Sequence, residues 1–284
     1  MTYEALWHRL TPLYEAGEAK AVVRWVLDMR FGLSWSDILC GKVTELSSND
    51  QTELEKIIVR LEKGEPVQYI IGVADFCGRQ FHVAPGVLIP RPETEELCRM
   101  IISQKGQSTL CEILDIGTGS GCIAITLALE LPDAHVTAWD ISDDALRIAQ
   151  ENAIVLGANV CFKKEDVLNI PHSSLLTPHS PKFSLIVSNP PYICEKEKSS
   201  MESNVLEYEP HLALFVPDDD PLRFYRAIAQ YAIDALTPQG ALFFEINPLY
   251  ADDLAQMLRM MSYHDISILH DQFGKQRFLK ATKI

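Results

Sequence analysis

Residues 111–129 read Cys111-Glu112-Ile113-Leu114-Asp115-Ile116-Gly117-Thr118-Gly119-Ser120-Gly121-Cys122-Ile123-Ala124-Ile125-Thr126-Leu127-Ala128-Leu129. The first six residues form a short apolar run of the kind that makes a buried strand. Glycines follow at alternate positions, and then an apolar stretch of helical length. Glycine reaches positive φ without steric cost and lets a ligand come close to the backbone. The unit therefore predicts a strand, a tight turn and a helix. The spacing is G-x-G-x-G and not the G-x-G-x-x-G of dinucleotide folds, because position 122 is Cys. That difference disfavours a nicotinamide oxidoreductase.

Moving outward, Val136-Thr137-Ala138-Trp139-Asp140 reads as a second strand, ending in an acid nineteen residues past Gly121. In open α/β sheets an acid about 20 residues beyond the glycine turn can accept from ribose hydroxyls. Ser142 then reads as an N-cap, with Asp143 and Asp144 in the first helical turn. Glu165-Asp166-Val167 follows the strand-like Val160-Cys161-Phe162. An acid there suits the amino group of a base, with Val167 against the ring, although Asp166 equally suits the cap of a turn. The run Leu185-Ile186-Val187-Ser188 stops at Asn189-Pro190-Pro191-Tyr192. The two prolines end the strand ladder, and Pro190 biases Asn189 toward extended geometry. An amide side chain, free carbonyls and an aromatic ring are thereby held at a sheet end, which suits a planar group bearing an NH2.

These four features stand in the order of a Class I S-adenosylmethionine methyltransferase. The whole arrangement resembles the release-factor glutamine methyltransferases. Besides Asp115–Gly121, Asp140 and Asn189–Tyr192, the resemblance includes Gly64-Glu65-Pro66-Val67-Gln68-Tyr69-Ile70-Ile71-Gly72 and Val87-Leu88-Ile89-Pro90-Arg91-Pro92-Glu93-Thr94-Glu95. Asn-Pro-Pro-Tyr is shared with amino-group methylases acting on DNA, RNA and protein, whereas the 88–95 segment is far more specific. Phe244-Glu245-Ile246-Asn247-Pro248 departs from a family segment that has Gly after Glu-Ile, so Glu245 is assigned no role.

The resemblance implies a Rossmann-like α/β fold, S-adenosylmethionine as cofactor, and methylation of the glutamine N5 in the Gly-Gly-Gln motif of peptide-chain release factors. It implies Asn189 and Pro190 as acceptors for the reacting NH2, with Pro191 and Tyr192 completing the substrate site and Tyr192 packing on the flat amide. The cofactor would meet Asp115, Gly117, Thr118, Gly119, Ser120, Gly121, Asp140, Asp166, Val167 and Asn189, with Asp115 taking its ammonium. No metal is required. Arg91, Glu93 and Thr94 either line the site or simply start a helix at Pro92. Rival functions are a ribosomal-protein glutamine methylase, an adenine N6-methylase and a non-catalytic cofactor-binding adaptor. An adaptor would need the glycine turn but not the amide clamp.

Composition agrees. The 284 residues carry a net charge of −14 without a basic cluster, which argues against nucleic acid as direct partner. Seven cysteines without a C-x-x-C pair suggest reduced thiols in the cytoplasm. No apolar run is long enough for a membrane, and the first residues lack signal-peptide character. Of the eight His none has a suggestive partner, and His211 is expected to pack.

Three divisions are expected: a helical substrate-docking domain at 1–72, a β-hairpin linker at 73–90, and the methyltransferase domain at 91–284. Within the first, Ser34 should cap a short helix, and Ser48 or Asn49 another through Leu54, Ile57, Ile58 and Leu61. Strands are expected at 111–116, 134–139, 159–164, 183–188 and 240–246, then 264–270 and 276–282. Helices are expected at 93–104, 120–130, 142–155, 221–236 and 249–261, with a polar loop at 171–181. Alternating strands and helices imply a mostly parallel sheet covered on both faces, and the resemblance implies that the last strand is inserted antiparallel.

Overall fold

The computed structural model describes residues 1–105, 111–170 and 182–283, so the loop expected at 171–181 lies outside the described residues. The chain forms two compact units: Met1–Val73 with Glu202–Tyr208, and Ala74–Met201 with Glu209–Ile284.

The first unit contains α1 (Tyr3–Leu10), α2 (Ala16–Phe31), α3 (Trp35–Leu39), α4 (Ser48–Leu61) and α5 (Val67–Ile71). Its core is one stripe from each long helix. Leu54, Ile57, Ile58 and Leu61 of α4 recur at helical spacing and meet Ala19, Val23, Val26 and Leu27 of α2 in one cluster. Ser34 caps α3 in a full capping box with Asp37. The cap of α4 is Ser47, one residue earlier than expected, and it accepts from the Asp50 amide at 3.2 Å.

The second unit takes in all but the first residue of a hairpin, β1 (Val73–Phe76) and β2 (Arg79–His82), followed by α6 (Pro92–Lys105). Then come β3 (Cys111–Ile116), α7 (Cys122–Glu130), β4 (Ala134–Asp140), α8 (Asp143–Leu156), β5 (Val160–Lys164) and β6 (Phe183–Ser188). A short pair, β7 (Ile193–Cys194) and β8 (Phe215–Val216), brackets α9 (Ser203–Tyr208) and α10 (His211–Leu214). The chain ends with α11 (Arg223–Ala235), β9 (Leu236–Glu245), α12 (Ala251–Met260), β10 (Tyr263–His270) and β11 (Gln276–Lys283). Helix α9 groups with the first unit, where the Tyr208 hydroxyl donates to the Lys63 carbonyl at 3.1 Å. A single methyltransferase domain over 91–284 did not provide for that excursion.

Seven strands form one sheet in the order β10-β11-β9-β6-β3-β4-β5. Strands β3, β4, β5, β6 and β9 run parallel, and β11 lies antiparallel between β9 and β10. Side chains alternate between two buried faces. Leu114, Ile116, Ile186, Leu242 and Phe244 pack toward α11 and α12. Ile113, Leu185, Val187 and Phe243 pack toward α6 and α7. Burial on both faces is why the strands read as unbroken apolar runs.

The differences from expectation are local. Helix α7 begins at Cys122, because Gly121 is left-handed at φ 83°. Strand β9 begins at Leu236 and bulges, with Gln239 at φ 64° and a register jump between the Phe183 and Leu185 pairings. Its Thr237-Pro238-Gln239-Gly240 sequence reads as a turn, which hides the strand's start. His211 is exposed and not packed inside, with its ring edge-on to Phe215.

Asn152 of α8 ties the hairpin to the glycine turn. Its Oδ1 accepts from the His82 amide at 2.7 Å, while Nδ2 donates to the carbonyls of His82 (3.0 Å) and Ser120 (2.9 Å). Asn152→Ala removes three hydrogen bonds at once. It should lower stability by about 2 kcal/mol, with water offsetting part of the loss at the half-buried hairpin end. Urea unfolding followed by circular dichroism checks this.

Candidate active site

The parallel register puts the functional residues at one end of the sheet. Ile116 of β3 pairs with Trp139 of β4 and with Ser188 of β6. One residue further on, Gly117 comes between Asp140 and Asn189. This is the carboxyl edge of the sheet, where the crossovers on either side of β3 diverge and open α/β folds bind ligands.

Hydrogen bonds fix the glycine turn. The amides of Gly117 and Thr118 both donate to the Trp139 carbonyl at 2.9 Å. The Gly119 amide donates to Asp140 Oδ2 and the Ser142 amide to Asp140 Oδ1, each at 2.9 Å. The Thr118 hydroxyl donates to Asp115 Oδ2 at 2.7 Å. The Ser188 hydroxyl donates to the Ile116 carbonyl at 2.6 Å, joining β6 to β3.

A cavity of about 200 Å³ lies over this edge. Gly117 and Gly119, just after β3, line it together with Asn189, Pro190 and Pro191, just after β6. Asp140, Asp166 and Val167 also line it. Asp166 caps as well, accepting from the Leu168 amide at 2.9 Å and the Asn169 side chain at 2.6 Å. The apolar lining residues not assigned to the site from the sequence include Val87, Leu88, Ile141 and Phe224. Ile141 carried a signal, as an exposed isoleucine directly after the strand-end acid.

Other expected residues stand elsewhere. Thr118, Ser120 and Gly121 are not on the cavity wall. A Cβ on Gly121 would sit 2.8 Å from Ile125 Cδ1 and 3.1 Å from Ala149 Cβ, so this glycine serves the packing of α7 on α8. At Gly117 and Gly119 an added Cβ would meet nothing within 4 Å, which leaves room for a ligand there. Tyr192, expected to lie on the substrate amide, does not line the cavity. Its ring packs against the sheet core, and its hydroxyl donates to Glu245 Oε1 at 3.1 Å.

Asp115 is wholly buried behind the turn. Burial pushes its carboxyl up to about 7, against the pull of the Thr118 hydrogen bond and the nearby Ala124 amide. That amide makes no hydrogen bond of good geometry to Oδ1, which has no partner among the described residues. A buried acceptor without a partner costs free energy, and the ammonium of an amino-acid-bearing cofactor would supply what is missing. Burial also raises Asp140, opposed by the Ser142 and Gly119 amides. The glycine space, the strand-end acid and the unpartnered Asp115 oxygen therefore fit S-adenosylmethionine.

Beneath Asn189 lies a buried polar cluster. Thr94, in the first turn of α6, donates to Glu245 Oε2 at 2.7 Å and accepts from Asn189 Nδ2 at 3.3 Å. Thr94 and Glu245 are each 2% exposed. Asn247 donates to the Tyr192 carbonyl at 3.1 Å and to Glu197 Oε1 at 3.0 Å. Arg91 pairs with the buried Glu209, which also accepts from the Ile89 amide at 3.1 Å. That ion pair fixes the 87–91 segment against the stretch before α10, and both stretches border the cavity.

The fold and this site define a methyltransferase. A methyltransferase-domain family model matches residues 107–244, and a PrmC N-terminal domain model matches residues 4–72. A methyltransferase from Pyrococcus furiosus shares the fold, with a TM-score of 0.52 at 17% identity over 84% of this chain and 99% of that one. A release factor glutamine methyltransferase of Bacteroides thetaiotaomicron is 50% identical over 274 residues, 96% of each chain. One from Flavobacterium psychrophilum is 38% identical, covering 96% of this chain and 94% of its own. The chain belongs to the release factor glutamine methyltransferases.

Gly121→Ala should destabilise the protein by about 2–3 kcal/mol, through overpacking against Ala149 and the left-handed backbone. Gly119→Ala should cost only about 1 kcal/mol from its backbone alone, and should act mainly on cofactor affinity. Thermal unfolding with and without S-adenosylmethionine separates the two.

Proposed function

We infer that this enzyme methylates the side-chain amide nitrogen of the glutamine in the Gly-Gly-Gln motif of peptide-chain release factors, using S-adenosylmethionine. One observation carries this: Asn189 and Pro190 stand on the wall of the cavity, directly beside the open glycine turn. Half-identity along 96% of the chain to a relative named for that activity supports the same substrate.

The chemistry follows from the amide. Its nitrogen lone pair is delocalised into the carbonyl, and its proton is too weakly acidic for any carboxylate here to remove first. The chain's own contribution is to place acceptors. The Asn189 Oδ1 and the Pro190 carbonyl take the two N–H bonds, so that the nitrogen lone pair points across the cavity. They also favour the more tetrahedral, positively charged nitrogen of the transition state. Bound S-adenosylmethionine supplies an electrophilic methyl on a sulfonium. Gly117 and Gly119 would hold its methionine end, Asp140 its ribose, Asp166 and Val167 its base, and Asp115 its ammonium. Alignment of nitrogen and methyl adds an orientational advantage. The nitrogen's proton leaves afterwards through these acceptors or to water.

The helical first unit docks the protein substrate, and the acidic surface implied by a net charge of −14 suits a basic protein partner. All seven thiols are unpaired, in keeping with work in the reducing cytoplasm. No described helix is long and apolar enough to cross a membrane.

Incubation of the enzyme with S-adenosylmethionine and release factors should add one methyl to the Gly-Gly-Gln peptide, read by mass spectrometry. Transfer only to a ribosomal protein or to adenine in nucleic acid would overturn the substrate. Asn189→Ala should lower kcat roughly a hundredfold to a thousandfold, with the cofactor Kd little changed by calorimetry.

Asp115 gives the binding a pH dependence. Its unbound carboxyl titrates near 7, so below that pH it must lose a proton before it can pair with a cation. Cofactor affinity should therefore weaken about tenfold from pH 8 to pH 6. In Asp115→Asn that slope should disappear.

A further inference from the structure

We propose that Glu245 and Thr94 are positioning residues that set which way round the Asn189 side-chain amide stands. The proposal rests on the reading of Asn189 as an acceptor for the substrate NH2, and it identifies what makes Asn189 an acceptor.

The two ends of an asparagine amide have nearly the same shape, so packing alone does not choose between them. At this site the choice decides function. With Oδ1 toward the cavity, Asn189 accepts from the substrate NH2. With Nδ2 toward the cavity, two donors would face each other and the substrate nitrogen would lose its acceptor.

Proton counting makes the choice. A threonine hydroxyl has one proton. The Thr94 proton goes to Glu245 Oε2 at 2.7 Å. Toward Asn189, Thr94 can then only accept, and it does so from Nδ2 at 3.3 Å. Oδ1 is left for the cavity. The order of donors runs one way, from Asn189 to Thr94 to Glu245, and it ends at a group able only to accept.

An ionised carboxylate is suited to that end, because both of its oxygens accept. Glu245 takes Thr94 on Oε2 and the Tyr192 hydroxyl on Oε1 at 3.1 Å. A glutamine in its place would offer one acceptor and one donor, and its donor facing Thr94 would free the Thr94 proton to turn Asn189 over. The carboxylate is almost wholly buried, which raises its affinity for a proton. The Thr94 and Tyr192 donors and the positive charge of Arg277 oppose that rise.

The backbone brings these groups together. Ser188 of β6 pairs with Phe244 of β9, so Asn189 and Glu245 follow on adjacent strands. Thr94 enters from the first turn of α6 and reaches both Glu245 and Asn189. Asn247 replaces the glycine of the family pattern and clasps the Tyr192 carbonyl at 3.1 Å, so the departure in sequence adds a brace to the same motif.

The test uses the full-length enzyme with release factor as substrate. Thr94→Val keeps the side-chain shape and removes the hydroxyl, while Thr94→Ser keeps the hydroxyl. Thr94→Val should lower kcat roughly 10- to 100-fold, the loss expected when an orienting buried hydrogen bond goes. KM for the release factor and Kd for S-adenosylmethionine should stay near native values, and Thr94→Ser should restore kcat. In nitrogen-edited NMR of the ligand-free enzyme, the Asn189 NH2 protons should exchange slowly in the native protein and Thr94→Ser, and quickly in Thr94→Val. Native kcat in Thr94→Val, failure of serine to rescue, or unchanged Asn189 exchange would overturn the proposal. Absence of transfer by the native enzyme, with Asn189 exchange responding as expected, would instead overturn the functional reading alone.

Discussion

The buried carboxylate of Glu245 gathers the reactive end of the sheet. Its side chain accepts from Thr94 of α6 and from Tyr192 beyond β6. Its main-chain carbonyl accepts from Tyr225 of α11 at 3.0 Å. Helices from both faces of the sheet and the loop after β6 therefore meet at one residue at the end of β9. A lone buried carboxylate would be costly, and its hydroxyl donors and the nearby Arg277 offset that cost. Once it is satisfied, the Asn-Pro-Pro-Tyr motif is held from beneath, and the cavity face of Asn189 is decided by the donors behind it.

The same end of the sheet separates binding from chemistry. On the β3–β4 side, the Gly119 amide closes on Asp140 while Gly117 and Gly119 leave open space. On the β6 side, prolines stop the ladder and leave an amide and a carbonyl for the substrate. Asp115, buried between the two with no partner for Oδ1 among the described residues, is a destabilising element that a bound cation would relieve. Such a residue exchanges stability of the empty protein for affinity, as functional sites often do.

Much of this was legible in the sequence. Buried parallel strands write themselves as apolar runs, and the glycines, the acid and the Pro-Pro stop mark their ends. Lining residues Gly117, Gly119, Asp140, Asp166, Val167 and Asn189 follow from that pattern. What stayed hidden depends on contacts between distant segments. Glu245 sits 151 residues from Thr94, and nothing local marks either as a partner of the other. Gly121 reads like its neighbours, yet its missing Cβ makes room for Ala149. Tyr192 belongs to the motif by sequence but faces inward, because a buried carboxylate waits there. The bulged start of β9 is masked by a turn-like tetrapeptide.

The most direct measurement is a double-mutant cycle in kcat between Thr94→Val and Asn189→Ala. If Thr94 acts only through the Asn189 amide, adding Thr94→Val to Asn189→Ala should cost nothing further, and the two effects should be fully non-additive. Additive losses would show that Thr94 and the carboxylate behind it support catalysis by some route other than the orientation of Asn189.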